Sequence, residues 1–317
     1  LDISKIPRGP EIIVAIARAL PFGAVKRVNL SNVQLCGIDQ SGRGTFDATS
    51  IIAIAEALSA SRSIMLIDLS SNNIGPNGAE VLAPALSVNT SLVAIDVSSN
   101  SIGQGGAMEG FTALTQALSV NTTIKRVNVL ANGIVGEAYD MLVAMAEQQG
   151  ILSLCGFEEG QTEADLSAKD LSPIDAKLVA RERVLMTSMS KLKVKKCELP
   201  IDLLKNGIEV DLGKQNLGVE DAIIVTACIA INTSLTSVNM ADNEICGVDR
   251  NGRGTFDSIG IAGLAEALSA NHSMTFVDLS SNNLGPNGAE VLAPALSVNT
   301  SLVAIYVSSN SICQGGP

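Results

Sequence analysis

The sequence predicts an α/β solenoid, with short parallel strands on a concave side and α-helices on a convex side. Three observations carry this expectation. Residues 64–91 join an alternating apolar stretch to a helical one across the breaker Gly75-Pro76-Asn77-Gly78. The same order of residues returns at Leu92 and again at Ile124. A larger block, residues 26–106, recurs at 236–316 with a constant offset, and about 55 of 81 aligned positions are identical.

Within the first of these units, Ile67 and Leu69 alternate, as the buried side of a strand requires. Asn72 follows where the chain must turn, and a buried Asn amide can bond the backbone of neighbouring coils. Ala79, Leu82, Ala83 and Leu86 then fall on one helical face. Neither element can bury its apolar side alone, so the unit must stack on copies of itself. Leu92, Ile95, Val97, Asn100 and Ile102 repeat the pattern, as do Ile124, Val127, Val129, Asn132 and Ile134.

The pattern L-x-x-L-x-L-x-x-N-x-L, with its period of roughly 28 residues, resembles the leucine-rich repeat. The helical second half of each unit is similar to the ribonuclease-inhibitor-like subclass, which includes the repeat regions of NOD-like receptors. That resemblance implies a leucine-rich-repeat solenoid, a horseshoe with a concave parallel β-sheet and convex α-helices. It also implies protein binding through the concave face. The family pattern specifies the core and not the face, so it assigns no partner-binding residues.

Taken in order, residues 1–4 read as the strand of a first repeat and 11–20 as its helix. The second repeat places Val28, Leu30 and Leu35 inward, with Val33 where Asn is expected. An insertion, CGIDQSGRGTFD, precedes its helix at about 50–58. Three regular repeats follow, and the pattern loosens over about 151–207. ILSLCGF reads as a strand, 163–190 as a weaker repeat with a charged helix, and KLKVKKCELP as a connecting loop or edge extension. From 208 the strand–turn–helix order resumes. The expected organisation is a single solenoid over 1–317, part of a longer array because the last repeat is incomplete.

Composition sets limits. Hydrophobic residues make up 46% and aromatic ones 3%, with no Trp, so Leu, Ile, Val and Ala must build the core. A formal charge of −11 argues against nucleic acid and against anionic membrane surfaces. The six cysteines form no C-x-x-C pair, and one histidine, His272, leaves little for zinc. Thiols in a reducing, cytoplasmic compartment are expected, with no cofactor. No unbroken run of about 20 apolar residues suggests a membrane span.

The inserted loop partly matches an EF-hand calcium loop. Counted from Asp39, oxygen-bearing side chains fall at the first, third and ninth places, and the second copy starts at Asp249. Arg43 or Arg253 at the fifth place, and Ser50 or Gly260 at the twelfth, speak for a Gly-rich turn instead. A phosphate-cradling loop lacks the required Gly and Lys spacing. The N-x-[ST] sequons at Asn29, Asn89, Asn121, Asn232, Asn271 and Asn299 read as turn chemistry. Catalysis has few candidates, since the one histidine has no evident nucleophile beside it.

The alternating strand positions that face away from the core are the candidate partner-binding residues. They are Arg27 and Asn29, Leu66 and Asp68, Asp96, Arg126 and Asn128 in the first half of the chain. Ser237 and Asn239, Phe276 and Asp278, and Tyr306 stand at the same places in the second half, with Ala94 and Ala304 completing the rows. Between the duplicated blocks Leu66 becomes Phe276 and Asp96 becomes Tyr306. Aromatic residues are enriched at interfaces. The expected function is a non-enzymatic protein–protein interaction scaffold or recognition module, including service as a subunit of a larger assembly. The alternatives are a regulatory or sensor segment of a larger signalling protein and a calcium-responsive module using the Asp39 and Asp249 loops.

Overall fold

A computed structural model describes residues 1–4, 10–38, 43–182 and 185–313. The chain divides into two compact units, Leu1–Glu158 and Glu159–Pro317, and each is taken by itself.

The first unit repeats a short strand followed by a helix. Its helices are α1 (Pro10–Ala19), α2 (Thr49–Ala60), α3 (Gly75–Val88), α4 (Glu109–Val120) and α5 (Gly136–Gln149). Its strands β1 (Arg27–Asn29), β2 (Leu66–Asp68), β3 (Ala94–Asp96) and β4 (Arg126–Asn128) form one parallel sheet in sequence order. The register is strict, with Val28, Ile67, Ile95 and Val127 side by side beneath the sheet. Those four are buried, while their strand neighbours stand on the other face. This is the solenoid of short parallel strands and helices that the repeat pattern predicts.

Residues 1–4 contribute less than a full strand, a single parallel bridge from Asp2 to Asn29. Residues 151–157 likewise pair with β4 through isolated bridges at Ser153 and Cys155. Both are too short in paired backbone to be strands, and each lies along an outer edge of the sheet.

Asparagine amides tie successive repeats together. Asn72 donates to Leu30 O and Leu69 O and accepts from Val33 N–H at 2.9 Å. Asn100 accepts from Asn72 N–H at 2.8 Å and donates to Leu69 O and Val97 O. Asn132 does the same for Asn100. Each amide therefore bridges two coils, and the residues beside it take the left-handed conformation, Ser71 at φ 58° and Asn73 at φ 50°. Such backbone is costly for residues with a Cβ and persists only where neighbouring bonds fix it. Val33 is buried at the place where the ladder stops, since it has no amide to continue it.

A second set of asparagines serves the opposite end of each repeat. The last carbonyls of a helix have no partner within it. Asn89 Nδ2 donates to Leu58 O in the last turn of α2, and its Oδ1 accepts from Leu92 N–H. Asn121 treats Leu86 O and Ile124 N–H in the same way. These are the sequon asparagines, and burial of Asn89 and Asn121 gives the recurring N-x-[ST] its structural reason.

In the second unit β8 (Glu209–Asp211), β9 (Ser237–Asn239), β10 (Phe276–Asp278) and β11 (Ala304–Tyr306) form a parallel four-stranded sheet. Helices α8 (Val219–Ile231), α9 (Ile259–Ala270) and α10 (Gly285–Val298) alternate with them. Asn243, Asn282 and Asn310 make the amide ladder, and Asn232, Asn271 and Asn299 cap the helix ends. The unit opens with β5 (Glu163–Asp165) and α6 (Pro173–Arg181), whose first turn is closed by a Ser172–Asp175 capping box.

The stretch KLKVKKCELP is not a connecting loop. It is a hairpin of β6 (Lys191–Val194) and β7 (Cys197–Pro200), with β6 parallel to β5 and antiparallel to β7. The sequence alternates, so Leu192, Val194, Cys197 and Leu199 are all buried while the lysines face water. Lys195 turns the hairpin at φ 45° and pairs with Glu220 at 3.0 Å. A short helix, α7 (Ile201–Asn206), leads on to β8.

Asp221, in the first turn of α8, is buried; its Oδ2 accepts from Gly218 N–H, and its Oδ1 has no hydrogen-bond partner. Burial raises its pKa to about 6, against the opposing pull of the Gly218 N–H. The folded chain holds this proton more tightly than the unfolded one, so its stability falls as pH rises from about 4 to about 6. Asp221→Asn is expected to flatten that fall and to stabilise the protein at pH 7 by about 1–3 kcal/mol, measured by urea unfolding across pH. Asn100→Ala removes an amide that bridges two coils and is expected to cost about 2–4 kcal/mol in the same assay.

Candidate partner-binding site

In the first unit the strand positions that point away from the core line up as two rows. Arg27, Leu66, Ala94 and Arg126 form one, and Asn29, Asp68, Asp96 and Asn128 the other. Together they floor a groove of about 400 Å³, walled by Leu1 and Asp2 at one side and by Gly156 and Glu158 at the other. Gly156 has φ 80°, and a Cβ there would lie 3.0 Å from the Asn128 Cβ, so only glycine brings the chain this close. Arg126 pairs with Glu158 at 3.2 Å, whereas Arg27 is exposed. Sequence reasoning missed Glu158, because residues 151–158 leave the repeat pattern.

The second row is occupied by structural work. Asp96 Oδ1 accepts from Ser98 N–H at 2.8 Å and from its hydroxyl, while Oδ2 accepts from Asn128 Nδ2 at 2.8 Å. Asp68, Asn29 and Asn128 each accept from the amide two residues on. These Asx turns steer the chain off each strand toward the asparagine ladder. The carboxylates are thus half-buried turn-formers, not the solvent-facing groups that alternation suggests. Arg27, Leu66 and Arg126 are left as the side chains best able to meet a partner.

The second unit has the same two rows with different chemistry. Ser237, Phe276 and Ala304 stand in the first, Asn239, Asp278 and Tyr306 in the second, with Asp278 holding Ser280 N–H. Phe276 and Tyr306 pack edge to face, ring centres 5.1 Å apart and planes at 82°. Tyr306 remains 55% exposed. Glu209 and Asp211 extend both rows onto β8, and Asp211 accepts from Asn239 Nδ2. The Val210-Asp211-Leu212 run carries the same strand signal as Ile67-Asp68-Leu69 and could have flagged them.

Of the inserted loops, Asp39 lies outside the described residues. Asp249 Oδ1 accepts from Asn251 and Arg253 N–H, both at 2.8 Å, and these bonds, Arg253 first, hold its pKa below the usual carboxylate range. The carboxylate folds the loop on itself as an Asx turn. Among the described residues, no group of three or more His, Cys, Asp or Glu could hold a metal ion. Five cysteines are buried and Cys313 is exposed; burial, with Asp47 or Asp257 nearby, pushes the Cys36 and Cys246 thiols up to about 12. No helix of the described residues is long and apolar enough to cross a membrane.

Three segments, 60–83, 88–109 and 270–293, match the family model described as Leucine Rich repeat. No curated protein matches the chain. Among solved structures it is similar to the actin-binding site 2 of leiomodin-1, at 19% identity over 46% of this chain and 82% of that one, TM-score 0.36. It is also similar to the tropomodulin C-terminal domain of Caenorhabditis elegans, at 14% identity over 44% and 93%, TM-score 0.28. A third is the leucine-rich repeat-containing protein LegL7 from Legionella pneumophila, at 15% identity over 94% and 88%, TM-score 0.32.

Because Asp96 accepts three bonds, Asp96→Ala is expected to destabilise the protein by about 1–3 kcal/mol in urea unfolding. Arg27→Ala, at an exposed position, is expected to change stability by less than about 0.5 kcal/mol.

Proposed function

In this leucine-rich-repeat protein we propose that the sheet faces bind a protein partner and that the chain acts without catalysis, as an interaction scaffold. Leucine-rich repeats generally mediate protein–protein interaction, and a solenoid face offers a rigid row of side chains that can vary without disturbing the core. The observation that carries the reading is the Phe276–Tyr306 pair, a half-exposed aromatic cluster on a face otherwise made of Ser, Asn, Asp, Glu and Ala. Aromatic anchors of this kind dominate binding energy where they fill a partner's pocket. Arg27, Leu66 and Arg126 are the corresponding contact residues on the first face, with Ser237, Asn239 and Asp278 flanking the aromatic pair on the second. The leiomodin-1 likeness bears on the fold and leaves the partner unnamed.

The duplication supplies its own control variants. Phe276→Leu and Tyr306→Asp install the residues that stand at 66 and 96, which the same framework accommodates. A pull-down from the native source, followed by mass spectrometry, would use the unaltered chain and the double variant as parallel baits. A stoichiometric partner should be lost from the variant, with affinity falling at least about tenfold and the unfolding midpoint nearly unchanged. Equal recovery by both baits would remove the aromatic pair from the binding site and the reading with it.

A further inference from the structure

A Lys-Arg pair stands at the entry of β1, Lys26-Arg27, and again at the entry of β4, Lys125-Arg126. Between them in the sheet lie β2 and β3, entered through Met65-Leu66 and Val93-Ala94. Backbone bonds hold these four coils in register: Met65 N–H donates to Lys26 O, Val93 N–H to Met65 O and Lys125 N–H to Val93 O, each at 2.8 Å. Both entry rows therefore read cation, apolar, apolar, cation across the sheet. Two residues further along each strand the order inverts, with Asn29 and Asn128 on the outer coils and Asp68 and Asp96 on the inner ones.

The outer coils are thus positive and the inner ones apolar, with carboxylates only at the strand exits. Arg126 already holds one carboxylate, that of Glu158 at 3.2 Å. Among the described residues, Lys26, Arg27 and Lys125 have no ion-pair partner. The duplication shows that the framework does not need these charges. The twin of Lys26-Arg27 is Thr236-Ser237 and that of Met65 is Thr275, and Thr275 N–H still donates to Thr236 O at 2.8 Å.

Building on the reading of the sheet faces as partner surfaces, we propose that the strand-entry side of the first sheet docks an acidic, extended segment of a partner protein. One carboxylate lies over each Lys-Arg pair and an apolar side chain over the coils between. Hydrogen-bonded strands are about 4.8 Å apart, so three spacings separate the two pairs by about 14 Å. An extended chain advances about 3.3 Å per residue and alternates its side chains. Carboxylates four residues apart then face the sheet together over about 13 Å, with the residue midway between them facing it too. A carboxylate at that midway place would approach Asp68 and Asp96, so a uniformly acidic segment is disfavoured.

The experiment titrates the isotope-labelled chain with two capped peptides of equal composition, Asp-Leu-Val-Leu-Asp and Leu-Asp-Asp-Leu-Val, at millimolar concentration and low salt. The spaced peptide should shift the Met65, Leu66, Val93 and Ala94 amides and bind at least about fivefold more tightly than the rearranged one. Lys26→Thr with Arg27→Ser, the residues of the twin coil, should abolish that preference with the unfolding midpoint nearly unchanged. Glu158→Gln frees Arg126 and should tighten binding about two- to fivefold. Equal binding of both peptides would overturn the spacing, and shifts from neither would overturn the acidic partner. The pull-down with Phe276→Leu and Tyr306→Asp separates this failure from that of the scaffold. A native partner lost from that bait, while neither peptide binds, removes only the chemistry assigned to the first face.

Discussion

The side-chain amide of asparagine, returning at Asn72, Asn100, Asn132, Asn243, Asn282 and Asn310, is the interaction on which this structure depends. A three-residue strand has too little backbone to hold a coil in place, and the turn after it runs through left-handed residues such as Ser71 and Asn73. Asn72 fixes that turn by donating to two coils and accepting from a third segment of backbone. Buried polar groups are tolerated when their bonds are made, and Asn72, Asn100 and Asn132 make the same set in successive repeats. The layered Leu, Ile, Val and Ala core stacks in register because the amides set the spacing between layers.

Two further polar devices keep the repeat short. Asparagine after α3, α4, α8, α9 and α10 takes up a carbonyl at the preceding helix end, so that helices of 12 to 14 residues, such as α2 and α3, stop with that carbonyl bonded. An Asp or Asn at the strand exit accepts the amide two residues on and starts the bend. Asp68, Asp96 and Asp278 therefore serve the fold first. The partner-facing chemistry is thereby concentrated in the remaining strand position, where Arg27, Leu66, Arg126 and Phe276 stand, and in Tyr306, which replaces a turn-forming carboxylate.

That replacement shows how a duplicated array can acquire a new face. Both copies keep the ladder asparagines Asn72 and Asn100 as Asn282 and Asn310, and keep apolar residues under each strand, so the framework tolerates change at the outward places. Exchanging Asp96 for Tyr306 gives up an Asx turn and gains an aromatic contact with Phe276.

The sequence by itself determined the repeat, its parallel strand order and its core, because apolar spacing, Asn72 and the Gly-Pro breaker encode local geometry that stacking then reuses. By alternation it also set Arg27, Leu66, Phe276 and Tyr306 opposite the core-facing residues of their strands. It did not reveal the β6–β7 hairpin, whose antiparallel return depends on non-local pairing within KLKVKKCELP. Nor did it separate the carboxylates that hold turns from the side chains open to a partner, or foresee that Glu158 would meet Arg126. Those assignments depend on which backbone amides and side chains come within hydrogen-bonding reach after the coils stack. Only the tertiary structure decides that, because a carboxylate two residues from an amide and one facing water carry the same letter.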